Sequence, residues 1–158
     1  MKQEDKELLL KDLCGRLPYR VRMKEINPAF YNNEWNTEYT DDTPYYLYSV
    51  TSEGTCCIES DKGGVCCCSV EGFKPYLFPL ASMTIEKRNE FYEMTQPHIL
   101  ASFDEGKLIA EENEYRPITP TMMYPNMIEI DWMYKHHFDI FGLIEKGLAI
   151  DCTNLNIY

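Results

Sequence analysis

The sequence predicts an α+β fold, with a mostly antiparallel sheet of about four to six strands and three helices packed on it. Apolar residues recur at helical spacing near the N-terminus and again after Pro125. Between them, short runs alternate apolar and polar residues around turn residues. The chain has 158 residues, of which 44% are hydrophobic and 13% aromatic. That is enough apolar material for one core, so we expect a single domain over residues 1–158.

A first helix is predicted over residues 3–14. Its apolar stripe follows the spacing of a buried helix face and consists of Leu10, Leu13, Cys14 and Leu17. Gly15 is of a residue type that commonly follows the end of a helix, and Pro18 prevents the helix from continuing.

Strands are predicted next, over residues 19–26 and 45–51. In the first, alternation places Val21 and Met23 on one face and the basic residues Arg20, Arg22 and Lys24 on the other. The basic face is either solvated or contacts an acidic partner or an acidic loop of this chain. Residues 55–60 and 65–70 then form a hairpin, because Asp61, Lys62, Gly63 and Gly64 are turn residues.

Five of the seven cysteines lie in this hairpin, and the full set is Cys14, Cys56, Cys57, Cys66, Cys67, Cys68 and Cys152. If Ser60 pairs with Val65, Cys57 lies opposite Cys68. Three interpretations stay open: packed thiols, a zinc site, and a cross-strand disulfide formed on oxidation. We favour packing, because adjacent strand residues point to opposite faces and the C-x2-C spacing of zinc knuckles is absent. No metal and no cofactor are therefore expected.

Two further helices are predicted in the second half of the chain. Thr84 can cap a helix that ends before Pro97, and Asn126 with Glu129 resembles a capping box for a third helix that ends near His137. Between them, residues 98–103 and 107–111 form two weak strands around a turn.

Residues 27–44 form an irregular, acidic loop that bears aromatic residues. Turn-forming residues dominate it, and no Lys or Arg occurs between Lys24 and Lys62. Aromatic side chains in such a loop either pin it to the core or supply anchors for a partner. The candidate binding residues are Phe30, Tyr31, Trp35 and Tyr39.

The charge balance argues against nucleic acid as a direct partner. The chain carries 26 Asp and Glu against 15 Lys and Arg, a net charge of −11, and phosphate binding needs clustered basic residues. The N-terminus lacks the pattern of a signal peptide, and no run of residues is apolar enough for a membrane span. We expect a cytoplasmic protein that does not contact membranes.

Known catalytic motifs such as the Walker loop or H-E-x-x-H are absent from the sequence. Asp131, His137 and Asp139 around the third helix could form a dispersed site if the fold brings them together. Cys14 and Cys152 are possible nucleophiles only if a base lies beside them.

Three stretches resemble a family of small acidic proteins of gut anaerobes and their prophages. They are KELLLKDLCGRLPY at 6–19, KPYLFPLASMT at 74–84, and a set within 131–151 that includes DW, HFD, GLI and GLAID. The family has no established activity, so the resemblance assigns no functional residue. The cysteine-rich hairpin and loop 27–44 lie outside these stretches, which suits a variable region on a fixed scaffold.

We therefore favour a non-enzymatic protein-interaction or accessory module of phage or mobile-element origin, with another protein as its partner. The alternatives are an enzyme with a dispersed site at Asp131, His137 and Asp139, and a domain that binds a carbohydrate or small ligand.

Overall fold

The structure is a computed structural model and describes residues 1–26, 44–61, 63–95 and 127–158. The α+β class and the mostly antiparallel sheet are confirmed. The described helices are α1 (Gln3–Arg16), α2 (Ile85–Thr95) and α3 (Met127–Lys135). The described strands are β1 (Arg22–Glu25), β2 (Tyr45–Val50), β3 (Thr55–Ser60), β4 (Val65–Ser69), β5 (Phe73–Pro79), β6 (Phe138–Asp139) and β7 (Ile150–Asp151).

The sheet runs in the order β4-β3-β2-β1-β5-β6, and β7 also pairs with β5. Strands β1 to β5 pair antiparallel, whereas β6 and β7 are two-residue strands that pair with β5 in parallel. The predicted strand over residues 19–26 is shorter than expected, because residues up to Tyr19 form a 3-10 turn and Arg20 has a φ of +49°. The predicted division of the side chains is confirmed, since Val21 and Met23 are buried and Arg20, Arg22 and Lys24 are not. Predicted strands 98–103 and 107–111 lie outside the described residues.

The buried face of α1 differs from the predicted stripe. The buried residues are Leu9, Asp12, Leu13 and Arg16, whereas Leu10 and Leu17 are half-buried and Cys14 is exposed. The prediction was wrong because it counted only apolar residues. Asp12 and Arg16 lie one helical turn apart and form a fully buried ion pair, so these two polar residues can face the core.

The predicted end of α1 at Cys14 is also wrong, since the helix continues to Arg16. Gly15 lies inside the helix rather than after it. A Cβ atom added at Gly15 would overlap the ring of Tyr134 on α3. The glycine therefore permits the close approach of α3. The helix ends instead where the 3-10 turn Leu17–Tyr19 begins.

The β3–β4 hairpin is confirmed, but its register is one residue away from the predicted one. Gly63 has a φ of +85°, and the backbone N–H of Ser60 donates to the Gly64 carbonyl at 2.8 Å. This closes the turn one residue earlier than expected. As a result Cys57 lies opposite Cys67, not Cys68, and a disulfide joins the two.

The other two helices begin or end close to the predicted positions. Thr84 caps α2, because its Oγ1 accepts a hydrogen bond from the N–H of Lys87 at 3.3 Å. Helix α3 ends at Lys135, two residues before the predicted end, and His137 follows with a φ of +59°.

The apolar core consists of two clusters. The larger lies between α1 and the sheet and includes Leu9, Leu13, Leu47, Ile58, Phe73 and Leu77. The smaller lies between α2, α3 and β6 and contains Met83, Phe91, Trp132, Met133 and Phe138. Arg16 joins them, because it pairs with Asp12 on α1 and its Nη2 donates to the Phe138 carbonyl at 2.7 Å.

None of the helices in the described ranges is both long enough and apolar enough to cross a bilayer.

Candidate functional site

A cleft of about 440 Å³ lies where the start of α2, the end of α3 and the last residue of the chain meet. Parallel pairing of Phe78 with Phe138 brings β5 beside the residues that follow α3, so sequence positions 60 apart line the same space. The lining residues are Phe78, Ser82, Thr84, Lys87, Lys135, His136, His137, Phe138 and Tyr158.

The apolar part of the cleft is a continuous series of aromatic rings. The rings of Phe78 and Phe138 are 6.2 Å apart, and the rings of Phe78 and Tyr158 are 5.8 Å apart. The imidazole of His137 stacks on the Tyr158 ring at 4.0 Å, with only 16° between the planes. The cleft therefore offers flat surfaces suited to a planar group.

Tyr158 is held in place by backbone hydrogen bonds. Its hydroxyl donates to the Tyr76 carbonyl at 3.0 Å and accepts from the N–H of Arg22 at 2.9 Å, so it bridges β5 and β1. The guanidinium of Arg22 also donates to the carbonyl of Ile157. Burial raises the pKa of Tyr158, which keeps the hydroxyl protonated and able to donate.

The polar part of the cleft is cationic. Lys87 and Lys135 line it, together with Ser82 and Thr84. Within the described ranges, no Asp or Glu lines the cleft, although the chain as a whole carries a net charge of −11. The cleft is thus a basic region of an acidic protein.

One carboxylate lies beside the lining residues, within 3.3 Å of three side-chain nitrogen atoms. Glu90 on α2 pairs with the Lys87 ammonium at 2.8 Å. Its Oε1 lies 3.2 Å from Nε2 of His136 and accepts from the indole N–H of Trp132 at 3.3 Å. The side chains of Lys87 and Glu90 are 41% and 48% exposed, so this ion pair is in contact with solvent.

The pKa of each imidazole lies below its ordinary value of 6.5. Burial lowers the pKa of His136, and the nearby Lys87 lowers it further. Burial also lowers the pKa of His137, to about 4, with a further contribution from the charge of Arg16. The lowered pKa values favour the neutral form of both imidazoles, and Lys87 and Lys135 supply the positive charge that lines the cleft.

Asp131, His137 and Asp139 have different contacts in the structure. Only His137 lines the cleft. Asp131 accepts a hydrogen bond from the hydroxyl of Tyr19. Asp139 is buried, and its two oxygens accept from the backbone N–H groups of Leu143 and Ile144, each at 2.9 Å. The predicted binding residues Phe30, Tyr31, Trp35 and Tyr39 lie outside the described residues, as does nearly all of loop 27–44.

The cysteines considered as nucleophiles do not lie in the cleft. Cys14 is exposed and Cys152 is buried. Burial raises the pKa of the Cys152 thiol to about 12, so the reactive thiolate is not formed near pH 7. In the part of the chain that the structure describes, no three His, Cys, Asp or Glu side chains are placed to hold a metal ion.

Sequence reasoning missed the lysines and Tyr158 as site residues. Each is unremarkable in its own segment, and the cleft exists only because β5 and β6 pair across 60 positions. The one local signal was the adjacent pair His136 and His137 at the end of a predicted helix.

Comparison of the chain with protein-family models, with curated proteins and with solved structures finds no match.

Proposed function

We propose that this chain is a small-ligand-binding module whose cleft holds the planar, apolar part of a ligand. The observation that carries the proposal is the series of rings from His137 through Tyr158 and Phe78 to Phe138 along a cleft of about 440 Å³. Ligand sites in proteins are concave and mostly apolar, with a few polar groups that orient the ligand. This cleft has that composition.

The size of the cleft is consistent with a one- or two-ring ligand. Burying roughly 150 Å² of apolar surface is worth about 4 kcal/mol, part of which offsets the entropy lost on association. Because the entropy cost takes up part of this gain, a minimal aromatic fragment should bind with a dissociation constant of about 1 mM or higher. Natural ligands gain further affinity from polar contacts.

Titration calorimetry with 2-naphthol, which is uncharged at pH 7, tests the proposal. Phe78→Leu keeps most of the apolar volume and removes the flat ring, so we expect its affinity to fall by about fivefold or more. Tyr48→Leu is the matched control, because Tyr48 is an exposed aromatic residue on β2 outside the cleft. No saturable binding by the unmodified protein, or equal loss in the control, would contradict the proposal.

The protein-interaction module favoured by the sequence, its phage or mobile-element origin and its cytoplasmic location stay predictions. The loop on which the interaction hypothesis depends lies almost entirely outside the described residues. A dispersed enzyme site at Asp131, His137 and Asp139 draws no support from the hydrogen bonds that commit the two carboxylates elsewhere.

A further inference from the structure

We infer that the ligand of the cleft carries an anionic substituent, a phosphate or a carboxylate, and that this anion takes the place of Glu90 beside Lys87 and His136. The inference rests on the proposed function, because it assigns a second half to the same ligand. It makes Glu90 a specificity-determining residue although Glu90 does not line the cleft.

The charge of the cleft is opposite in sign to that of the chain. Acidic residues outnumber basic ones 26 to 15 in the chain, yet among the described residues the charged side chains that line the cleft are those of Lys87 and Lys135. A cleft lined by one sign of charge concentrates ions of the opposite sign. The chain as a whole repels polyanions such as nucleic acid, so the arrangement favours a small ligand with one anionic group.

Three side-chain nitrogen groups converge on Glu90. An ammonium, an imidazole nitrogen and an indole N–H all approach this one carboxylate, at 2.8, 3.2 and 3.3 Å. Convergent donors of this kind suit any oxyanion, whether it belongs to the protein or to a ligand. Two of the three donors, on Lys87 and His136, belong to residues that line the cleft.

The pairing of Glu90 with Lys87 is exposed and easily replaced. Both partners of the Lys87–Glu90 pair are more than two-fifths exposed, and exposed pairs contribute little to stability. If Glu90 turns toward solvent, breaking its pair with Lys87 costs little, and the ligand anion can take up the lysine and the imidazole in its place. The carboxylate thus acts as an internal counter-ion that competes with the ligand anion for the same donors.

The ligand class is therefore a planar aromatic body joined to a phosphate or carboxylate. The rings of the cleft hold the body, and Lys87 and Lys135 with His136 hold the anion. Neutral aromatic compounds satisfy only half of the site, and inorganic phosphate satisfies only the other half.

The test compares 2-naphthol, 2-naphthoate and 2-naphthyl phosphate by calorimetry at low ionic strength and pH 7. We expect the two anions to bind about fivefold or more tightly than the naphthol, and the phosphate to bind most tightly if charge dominates. The advantage should shrink in 0.5 M NaCl, because partly exposed charges are screened. Inorganic phosphate alone should bind more weakly than naphthyl phosphate.

Two pairs of variants separate the roles of the charges. Lys87→Met should reduce the advantage of the anions by about two- to fivefold, whereas Lys146→Met, an exposed lysine outside the cleft, should not. Glu90→Gln should tighten the binding of both anions by about two- to fivefold and leave naphthol unchanged. Glu93→Gln removes an exposed charge from the same helix and serves as its control. Lys135→Met repeats the lysine test if Lys87→Met does not fold.

The outcomes distinguish the two proposals. If naphthol binds in the cleft but the anions bind no more tightly, the anion subsite is wrong and the small-ligand module stands. If Glu90→Gln and Glu93→Gln have equal effects, Glu90 has no special role and the inference fails. If none of the three compounds binds, the proposed function falls and the inference falls with it.

Discussion

His137 shows how one residue can be placed by backbone conformation and by burial together. It follows α3 with a φ of +59°, a conformation in which Asn, Asp and His are more common than other side chains. Its N–H donates to the Tyr134 carbonyl at 3.0 Å, and its ring stacks on Tyr158. The sequence singled out this histidine as a site residue, but could not show that a ring from the far end of the chain would cover it.

Burial of His137 predicts an acid sensitivity with a defined sign. Its pKa is lowered from about 6.5 in the unfolded chain to about 4 in the folded protein. The unfolded state therefore takes up the proton first, and the stability that this group contributes above pH 6.5 is lost as the pH falls toward 4. The expected loss is of the order of 2–3 kcal/mol.

The variant His137→Asn isolates this effect. Asparagine tolerates the left-handed conformation and does not titrate, while the carboxylates and His136 remain in both proteins. Urea unfolding at pH 7 and pH 4 should therefore show a larger loss of stability in the unmodified protein than in the variant. Equal losses in the two proteins would contradict the prediction.

Among the elements, α1 and the β3–β4 hairpin show where local patterns succeed and where they do not. The pattern of apolar residues and turns located both correctly. The predicted end of α1 failed at a glycine whose role depends on tertiary packing, and the predicted register failed at a glycine whose backbone conformation sets a local turn. Gly15 accommodates Tyr134 from another helix, and Gly63 closes the hairpin turn one residue early. The cap of α2 at Thr84 was predictable because the contact is local.

The contact between α1 and α3 predicts that Gly15→Ala is destabilising. Alanine is the better helix former by about 1 kcal/mol, so propensity alone predicts stabilisation. The added methyl group overlaps the Tyr134 ring, and overpacking of this kind typically costs about 1–3 kcal/mol. We therefore expect a net loss of stability in thermal or urea unfolding.

A second background provides the control for Gly15→Ala. With Tyr134→Leu already in place, the ring is gone and the same substitution should be neutral or stabilising. If Gly15→Ala stabilises the protein that retains Tyr134, the close approach of the two helices is wrong.

For the whole molecule, the class of the fold followed from the sequence, but the arrangement did not. Alternating and helical patterns were enough for the α+β class. In the sheet, β1 lies between β2 and β5, and two-residue strands pair with β5. Both features depend on contacts between distant segments of the chain. The same holds for the cleft, whose walls come from β5, α2, α3 and Tyr158, and for the buried ion pair that joins the two core clusters.

That ion pair predicts a global effect for Arg16→Met. Arg16 and Asp12 are both fully buried, and two hydrogen bonds join them, with lengths of 2.6 and 2.9 Å. Removing the arginine leaves a buried carboxylate without its partner, which typically costs about 3–5 kcal/mol. Equilibrium unfolding should show this loss, whereas Arg20→Met, which removes an exposed guanidinium, should cost less than about 1 kcal/mol.

The double variant Asp12→Leu with Arg16→Met checks the cause. If the loss comes from the unpaired carboxylate, replacing both partners with apolar residues should recover much of it. A double variant no more stable than Arg16→Met would instead locate the loss in the bond from Arg16 to the Phe138 carbonyl.

Trp132 lies where its fluorescence can report the charge of His136. Its indole lies 4.2 Å from the imidazole of His136 and shares Glu90 with it, directly beside the proposed anion subsite. A protonated imidazole quenches indole emission on contact, whereas a neutral one does so much less. In a protein that carries Trp35→Phe, Trp132 is the sole tryptophan, and the intensity of tryptophan fluorescence would follow the charge of His136 without any attached dye.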